Sequence, residues 1–330
     1  MRWIYIYNQK FQINNKQQKQ IMQSTNNKYN TNMAKKFNLA TNVPMSNYTS
    51  FRIGGPADML ALPETVEDLQ AMLEYADADD IPVTIIGGGT NVLVTDRGIR
   101  GLVIITKALK ADMKIRALDN EYFLLNAMAG EKLQAVLKFA MKNSLSGLEF
   151  AAGIPGTLGG ALTMNAGGAG ASMSDFVQGI SILDRKSLKI NTVQRKDLNF
   201  SYRNLELPGI IISARLKMKK GDQENIEKNF KNILSLKKES QPVSAASAGC
   251  FFKNPAKGMS AGELIEKAGL KGMKKGGAMV SSIHANYIIN TGNATCKDIL
   301  NLKQDIKETV FKKFNVELES EVRIEGDQTN

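Results

Sequence analysis

"IPVTIIGGGTNVLVTDRGIRGLVIIT", residues 81–106, holds three short apolar runs parted by two glycine-marked turns. Val, Ile and Thr dominate those runs, and β-branched side chains suit a pleated, half-buried surface. The stretch therefore reads strand, glycine turn, strand, turn, strand. Just upstream, "VEDLQAMLEYA" reads as a helix that Thr65 caps, with Asp68 as its reciprocal partner. Helix followed by strand indicates an α/β unit. The glycine run fits neither known phosphate fingerprint. A Rossmann G-x-G-x-x-G must open a helix and a Walker loop ends in G-K-[ST], whereas Gly87–Asn91 leads into another strand. Two readings stay open for it, a plain tight turn or a nest of bare amides for a pyrophosphate.

"GIPGTLGG", residues 153–160, narrows the choice. Pro155 fixes one dihedral, while its glycines free the backbone or let it pass close to a flat surface. Together with "RIGG" at 52–55, the two segments favour a dinucleotide lying across loop backbone.

Beyond them, "EKLQAVLKFAMKNSL" reads as helical, and strand-like "FVQGISILD" and "PGIIISARLKM" enclose the turn-rich "FSYRN". A Lys- and Glu-containing helix is expected over 222–239. "SAGELIEKAG" starts at a Ser260 cap with Glu263 in the reciprocal place and stops at Gly269. "TCKDILNLKQDIKETVFKKF" starts at Thr295 with Asp298, and puts Ile299, Leu302, Ile306 and Val310 on one face. Strand-like "ELESEVRIEG" closes the chain. A domain boundary falls near residue 220. Residues 1–37, rich in Asn, Gln and Lys, read as disordered or as an upstream extension, with Met33 an alternative start.

The 330 residues, 43% of them hydrophobic, suffice for two domains with real cores. Two cysteines fit a reducing compartment better than a disulfide scaffold, and scattered as they are with one histidine they give no reason to expect a zinc site. No apolar run approaches the ~20 residues that cross a bilayer. The net charge of +11 comes from dispersed lysines without aromatic interleaving, so it reads as a field for anionic cofactors and substrates rather than a nucleic-acid surface.

"TSFRIGGPAD", "IPVTIIGGGTNVLV", "GLEFAAGIPGTLGGALTMNAGG", "SYRN", "AGCFFKNP", "KAGLKG" and "ESEVRIEG" occur in that order over about residues 40–326. The ordered set resembles the UDP-N-acetylenolpyruvoylglucosamine reductase family of bacterial cell-wall synthesis. The resemblance implies an α+β architecture. An FAD-binding domain of the vanillyl-alcohol oxidase type would span 38–220, in subdomains of about 38–108 and 109–220. A smaller α/β substrate domain would span 221–326, with 327–330 a tail. It also implies noncovalent FAD, NADPH as reductant, and a UDP-linked enolpyruvyl amino sugar as substrate. A cytoplasmic monomer with no nucleic-acid or membrane partner is expected.

In the implied reaction, reduced FAD gives a hydride to the terminal vinyl carbon, and charge grows on the α-carbon and its carboxylate. Arg203, in "SYRN", matches the arginine that stabilises this enolate, and Glu321, in "ESEVRIEG", the glutamate that assists. Cys250 stands where much of the family has the serine that protonates the α-carbon. A thiol keeps the donor hydrogen, and its reference pKa of about 8.5 suggests thiolate near neutral pH with sensitivity to oxidation or alkylation. The alternative is a small hydrophobe beside Phe251 and Phe252.

FAD contacts are expected from Arg52, Ile53 and Gly54, from Gly87, Gly88, Gly89, Thr90 and Asn91, and from Gly153, Ile154, Pro155, Gly156, Gly159, Gly160 and Asn165. Substrate contacts are expected from Tyr202, Asn254, Lys271 and His284, the last with a half-buried, backbone-bonded histidine as alternative. Cys296 reads as structural. "MNAGGAG" has small residues where relatives commonly carry a bulky one, and the long tyrosine-bearing insertion of one branch is missing. Two rivals remain, an FAD-dependent oxidase on the same fold and a nonenzymatic nucleotide-binding relative.

Overall fold

The computed structural model describes Leu39–Asp327. The expectations for residues 1–37 and for the last three residues lie outside that range. The described chain opens with strands β1 (Ala40–Pro44) and β2 (Pro56–Ala61), crosses helix α1 (Val66–Ala78), and enters β3 (Val83–Ile86), β4 (Val92–Val94) and β5 (Ile99–Ile105). Thr65 caps α1 as its sequence predicts: its hydroxyl accepts from Asp68 N at 3.0 Å, and the Asp68 carboxylate accepts from Thr65 N at 3.1 Å. The first sheet has the order β1-β2-β5-β3, with β2 and β3 both parallel to β5. Strands running in the same direction need a crossover, and α1 supplies it between β2 and β3, which lie on either side of β5.

The second sheet is antiparallel and six-stranded. Its centre is the long strand Gly209–Lys220, flanked by β7 (Tyr122–Met128) and by Val177–Asp184; β6 (Lys114–Ala117) and Ile190–Gln194 extend it outward. Helices α2 (Leu133–Lys142) and α3 (Leu158–Thr163) fill its inner face, where Leu125, Leu137, Leu158, Leu162, Ile180 and Leu216 form one core. Each such buried Leu or Ile contributes about 1.5–3 kcal/mol. Helix α4 (Gln223–Ser240) lays Phe230, Ile233 and Leu234 on this same core.

Besides that core and the one inside the first sheet, where Leu60, Ile86 and Val103 pack, a third core is built by α5 (Ala261–Lys267), α6 (Cys296–Phe314) and a small sheet of Lys274–Lys275, Ala278–Val280 and Ile288–Asn290. Ile299, Leu302, Ile306 and Val310 of α6 are fully buried there, on the face their spacing predicts. Phe51, Ile53 and Leu93 enter this core from the first part of the chain. The last strand, Arg323–Glu325, returns to pair in parallel with β4, Arg323 opposite Val92. Fold class is thus α+β, as expected. Among the described residues no helix is long and apolar enough to cross a membrane.

Candidate functional site

Both glycine segments face one cavity of about 930 Å³, at the upper end of the roughly 300–1,000 Å³ typical of ligand sites. Gly89 sits at φ 66°, and a Cβ there would lie 1.9 Å from the Tyr48 carbonyl oxygen. Gly88 passes against Gly156, whose φ of 105° and whose closeness to Thr90 Oγ1 admit no side chain. Backbone therefore meets backbone, and a row of amides is left free. The N–H groups of Gly87, Gly88, Gly89 and Thr90 donate to no acceptor among the described residues. Unused amides beside a large cavity are what a pyrophosphate requires, so these residues fit FAD.

Arg203 enters from a hairpin of Asn199–Ser201 and Asn204–Glu206. At φ 57° it occupies the left-handed region, a conformation that costs a non-glycine residue about 1–3 kcal/mol and clusters at functional sites. Asn165 braces that hairpin: its Nδ2 donates to Ser201 O at 3.0 Å and its Oδ1 accepts from Ser174 N at 3.1 Å. Arg203 Nε lies 3.0 Å from Glu321 Oε1. The contact is one of charge, since the Nε–H makes no aligned hydrogen bond.

Cys250 and Glu321 are brought together by main-chain pairing between segments about seventy residues apart. Glu321 N donates to Phe251 O and Lys253 N to Glu319 O, each at 2.8 Å. Asn91 fastens the same segment to the glycine loop: its Nδ2 donates to Glu321 O at 3.1 Å, and its carbonyl accepts from Arg323 N at 3.1 Å. Burial pushes the Cys250 thiol up to about 11, helped by the Glu321 charge and opposed by Arg203 and by the Tyr287 hydroxyl. The expectation of ready thiolate is therefore reversed: at neutral pH this sulfur keeps its hydrogen. Burial also raises Glu321 above the ordinary carboxylate range, against the pull of Arg203 and Lys253.

Arg203, Cys250 and Glu321 share the cavity wall with Gly87–Asn91 and with Gly153, Ile154, Pro155, Gly156, Gly159 and Gly160. Other expected residues lie elsewhere. Ile53 is buried in the third core, Arg52 sits at φ 55° in a turn, and Gly54 packs against Val94. Tyr202 is half-exposed beside Arg203, its hydroxyl 3.4 Å from Asn254 N. Asn254 Oδ1 accepts from Ala261 N at the start of α5. Lys271 pairs with Glu266 at 2.7 Å. His284 is half-buried, its Nδ1 accepting from Asn286 N at 3.2 Å, and burial holds its pKa below the usual value.

Three residues without a motif also line the cavity: Lys237, Gln241 and Tyr287. Lys237 reaches from α4 to cap the carbonyls of Ala152 at 2.6 Å and Phe150 at 3.2 Å, just ahead of Gly153. Burial lowers its pKa to about 8. No sequence pattern marks these three; only the return of distant segments does.

The α+β scaffold, the bare amide row and the convergent cysteine, glutamate and arginine point to a flavin-dependent oxidoreductase. A family model described as an FAD binding domain matches residues 57–189, and one described as the UDP-N-acetylenolpyruvoylglucosamine reductase C-terminal domain matches 241–325. A reductase of that name from Caldanaerobacter subterraneus subsp. tengcongensis is 43% identical over 293 residues, covering 88% of this chain and 94% of that protein. One from Latilactobacillus sakei is 43% identical over 292 residues, covering 88% and 94%. The crystal structure of a Thermus caldophilus reductase of this kind superposes with a TM-score of 0.72 at 34% identity, over 86% of this chain and 97% of that one. The chain belongs to the UDP-N-acetylenolpyruvoylglucosamine reductase family.

Proposed function

We propose that this protein reduces UDP-N-acetylglucosamine enolpyruvate to UDP-N-acetylmuramate in peptidoglycan precursor synthesis, with noncovalent FAD as cofactor and NADPH as reductant. The observation that carries the reading is the meeting of Arg203, Cys250 and Glu321, from three separate segments, on the cavity that the glycine loops enclose. When bound, FAD supplies the hydride for the terminal vinyl carbon.

The chain's own residues handle the charge and the proton. Arg203, held beside Glu321 and against the Gly167 carbonyl, presents its guanidinium to the substrate carboxylate as enolate character grows. Glu321, whose pKa burial raises against the pull of Arg203, stands beside the same charge and holds the Arg203 guanidinium there. Cys250 delivers the proton: the Sγ–H bond breaks, a C–H bond forms at the α-carbon, and the sulfur keeps the electron pair. A thiol protonated at neutral pH suits that task.

FAD is assigned to residues 38–220 and the UDP-sugar to 221–326. The two matched family segments support that division. Asn165 holds the Arg203 hairpin and remains a candidate for FAD contact. Tyr202, Asn254, Lys271 and His284 remain candidates for the nucleotide end of the substrate. Two unpaired cysteines support a reducing compartment, and positive charge dispersed rather than clustered argues against a nucleic-acid partner. The test is NADPH oxidation by the purified, FAD-loaded protein. Turnover that requires the UDP-linked enolpyruvyl sugar supports the reading, and turnover with oxygen alone overturns it.

A further inference from the structure

Cys250 and Tyr287 face one another because their segments are locked together. Phe251 N donates to Asn286 O at 2.7 Å, and the Asn286 side chain brackets Phe252, accepting from its N–H at 2.9 Å and donating to its carbonyl at 2.8 Å. That lock sets residues 250 and 287 opposite one another on the same stretch of cavity wall, and the Tyr287 hydroxyl favours the Cys250 thiolate. The Tyr287 O–H is already engaged. It donates to Gln241 Oε1 at 3.0 Å, from the residue that ends α4. The ring is fixed edge-on against His284, with centroids 5.1 Å apart.

One hydroxyl hydrogen thus has two acceptors in reach and can serve one at a time. While Cys250 carries its own hydrogen, Gln241 is the better acceptor, since an amide oxygen outcompetes a thiol sulfur. Once the Cys250 proton has left for the substrate carbon, the order inverts. The sulfur then bears a full charge in a half-buried site, with the Glu321 carboxyl beside it and Arg203 set against that charge. A turn about the phenol C–O bond brings the tyrosine hydrogen to that charge, and hydrogen bonds to charged acceptors are roughly twice as strong as neutral ones.

We infer that Tyr287 is a positioning residue for the protonation step, its hydroxyl switching from Gln241 to Cys250 Sγ as the thiolate forms. Gln241 holds the hydroxyl in waiting, and the pair determines how readily Cys250 parts with its proton. No atom is left over: the substrate carbon gains the proton, sulfur keeps the electron pair, and the thiolate recovers a proton from water when product leaves. The inference rests on Cys250 being the proton donor of the proposed reaction.

The test compares alkylation of Cys250 by iodoacetamide in the FAD-loaded full chain from about pH 8 to about pH 10, mapped by peptide mass so that Cys296 is counted apart. Wild type, Tyr287→Phe and Gln241→Leu are measured side by side. Loss of the donor in Tyr287→Phe should slow Cys250 alkylation about tenfold at a given pH. Gln241→Leu leaves the tyrosine only the sulfur to serve and should speed it. Equal rates in all three proteins, or faster alkylation in Tyr287→Phe, would overturn the inference. A single-turnover arm ties the switch to the reaction: Tyr287→Phe should show slower protonation and a larger solvent isotope effect than wild type. If wild type ignores the enolpyruvyl sugar, the reductase reading fails and the role in catalysis with it, whereas the alkylation series still reports the hydrogen bond separately.

Discussion

Cys250 shows what a single residue's environment adds to its type. Its reference acidity suggests a reactive thiolate, yet burial and the neighbouring Glu321 push the thiol up to about 11. The sign follows directly: a group whose protonated form the fold favours keeps its hydrogen as pH rises through neutrality and loses it only near that value. The proton-donating step should therefore hold its rate through the neutral range and fall only as pH climbs towards about 11, as single-turnover measurements across pH would show. Cys250→Ser keeps a donor hydrogen at the same place and should retain the activity within about tenfold, in contrast to a residue with none. The motif around Cys250 was legible in the sequence. Its acidity was not, because the groups that set it, Glu321 and Tyr287, arrive from 71 and 37 positions away.

Elements governed by local rules were read well. The boxes Thr65/Asp68, Ser260/Glu263 and Thr295/Asp298 all form, and the helix expected over 222–239 spans Gln223–Ser240. Helix α3 escaped notice because two of its six residues are glycines. Gly159 is needed there, since a Cβ would lie 2.9 Å from Ala129 Cβ and hold the helix off the sheet. The closing strand is also shorter than "ELESEVRIEG" suggests, only Arg323–Glu325, because the preceding residues pair with 251–253 instead. Lys237 is the contact no pattern announced. Its two bonds hold the turn at Phe150 and Ala152 that leads into Gly153–Gly156, so α4 clamps one jaw of the cradle. Lys237→Met should weaken FAD binding about tenfold in a flavin fluorescence titration, and Lys237→Arg should recover part of the loss. Below about pH 8 the ammonium is charged and donates fully; above it the amine becomes neutral and the clamp slackens.

At the scale of the whole molecule, three cores are stitched by chain returns. Phe51 and Ile53 leave the first part of the chain for the third core, and the final strand comes back to β4. Those returns, rather than any local propensity, place Glu321 beside the glycine loop, which is why the sequence exposed the parts of the site but not their meeting. The molecule also carries a net charge of +11 into encounters with polyanionic cofactor and substrate. Raising ionic strength from about 0.01 M to about 0.15 M shortens the Debye length from about 30 to about 8 Å. Over that range kcat/KM for NADPH should fall about fivefold or more while kcat changes little, as steady-state assays at several salt concentrations would report.

The central claim is that Cys250 protonates what the bound flavin has reduced, and anaerobic stopped-flow absorbance tests it most directly. The protein's flavin is reduced with NADPH, mixed with the UDP-linked enolpyruvyl sugar, and followed in wild type and Cys250→Ala. Wild type should reoxidise rapidly and only with the sugar present, and Cys250→Ala should be slower by about a hundredfold or more. Equal reoxidation rates in the two proteins would contradict the account.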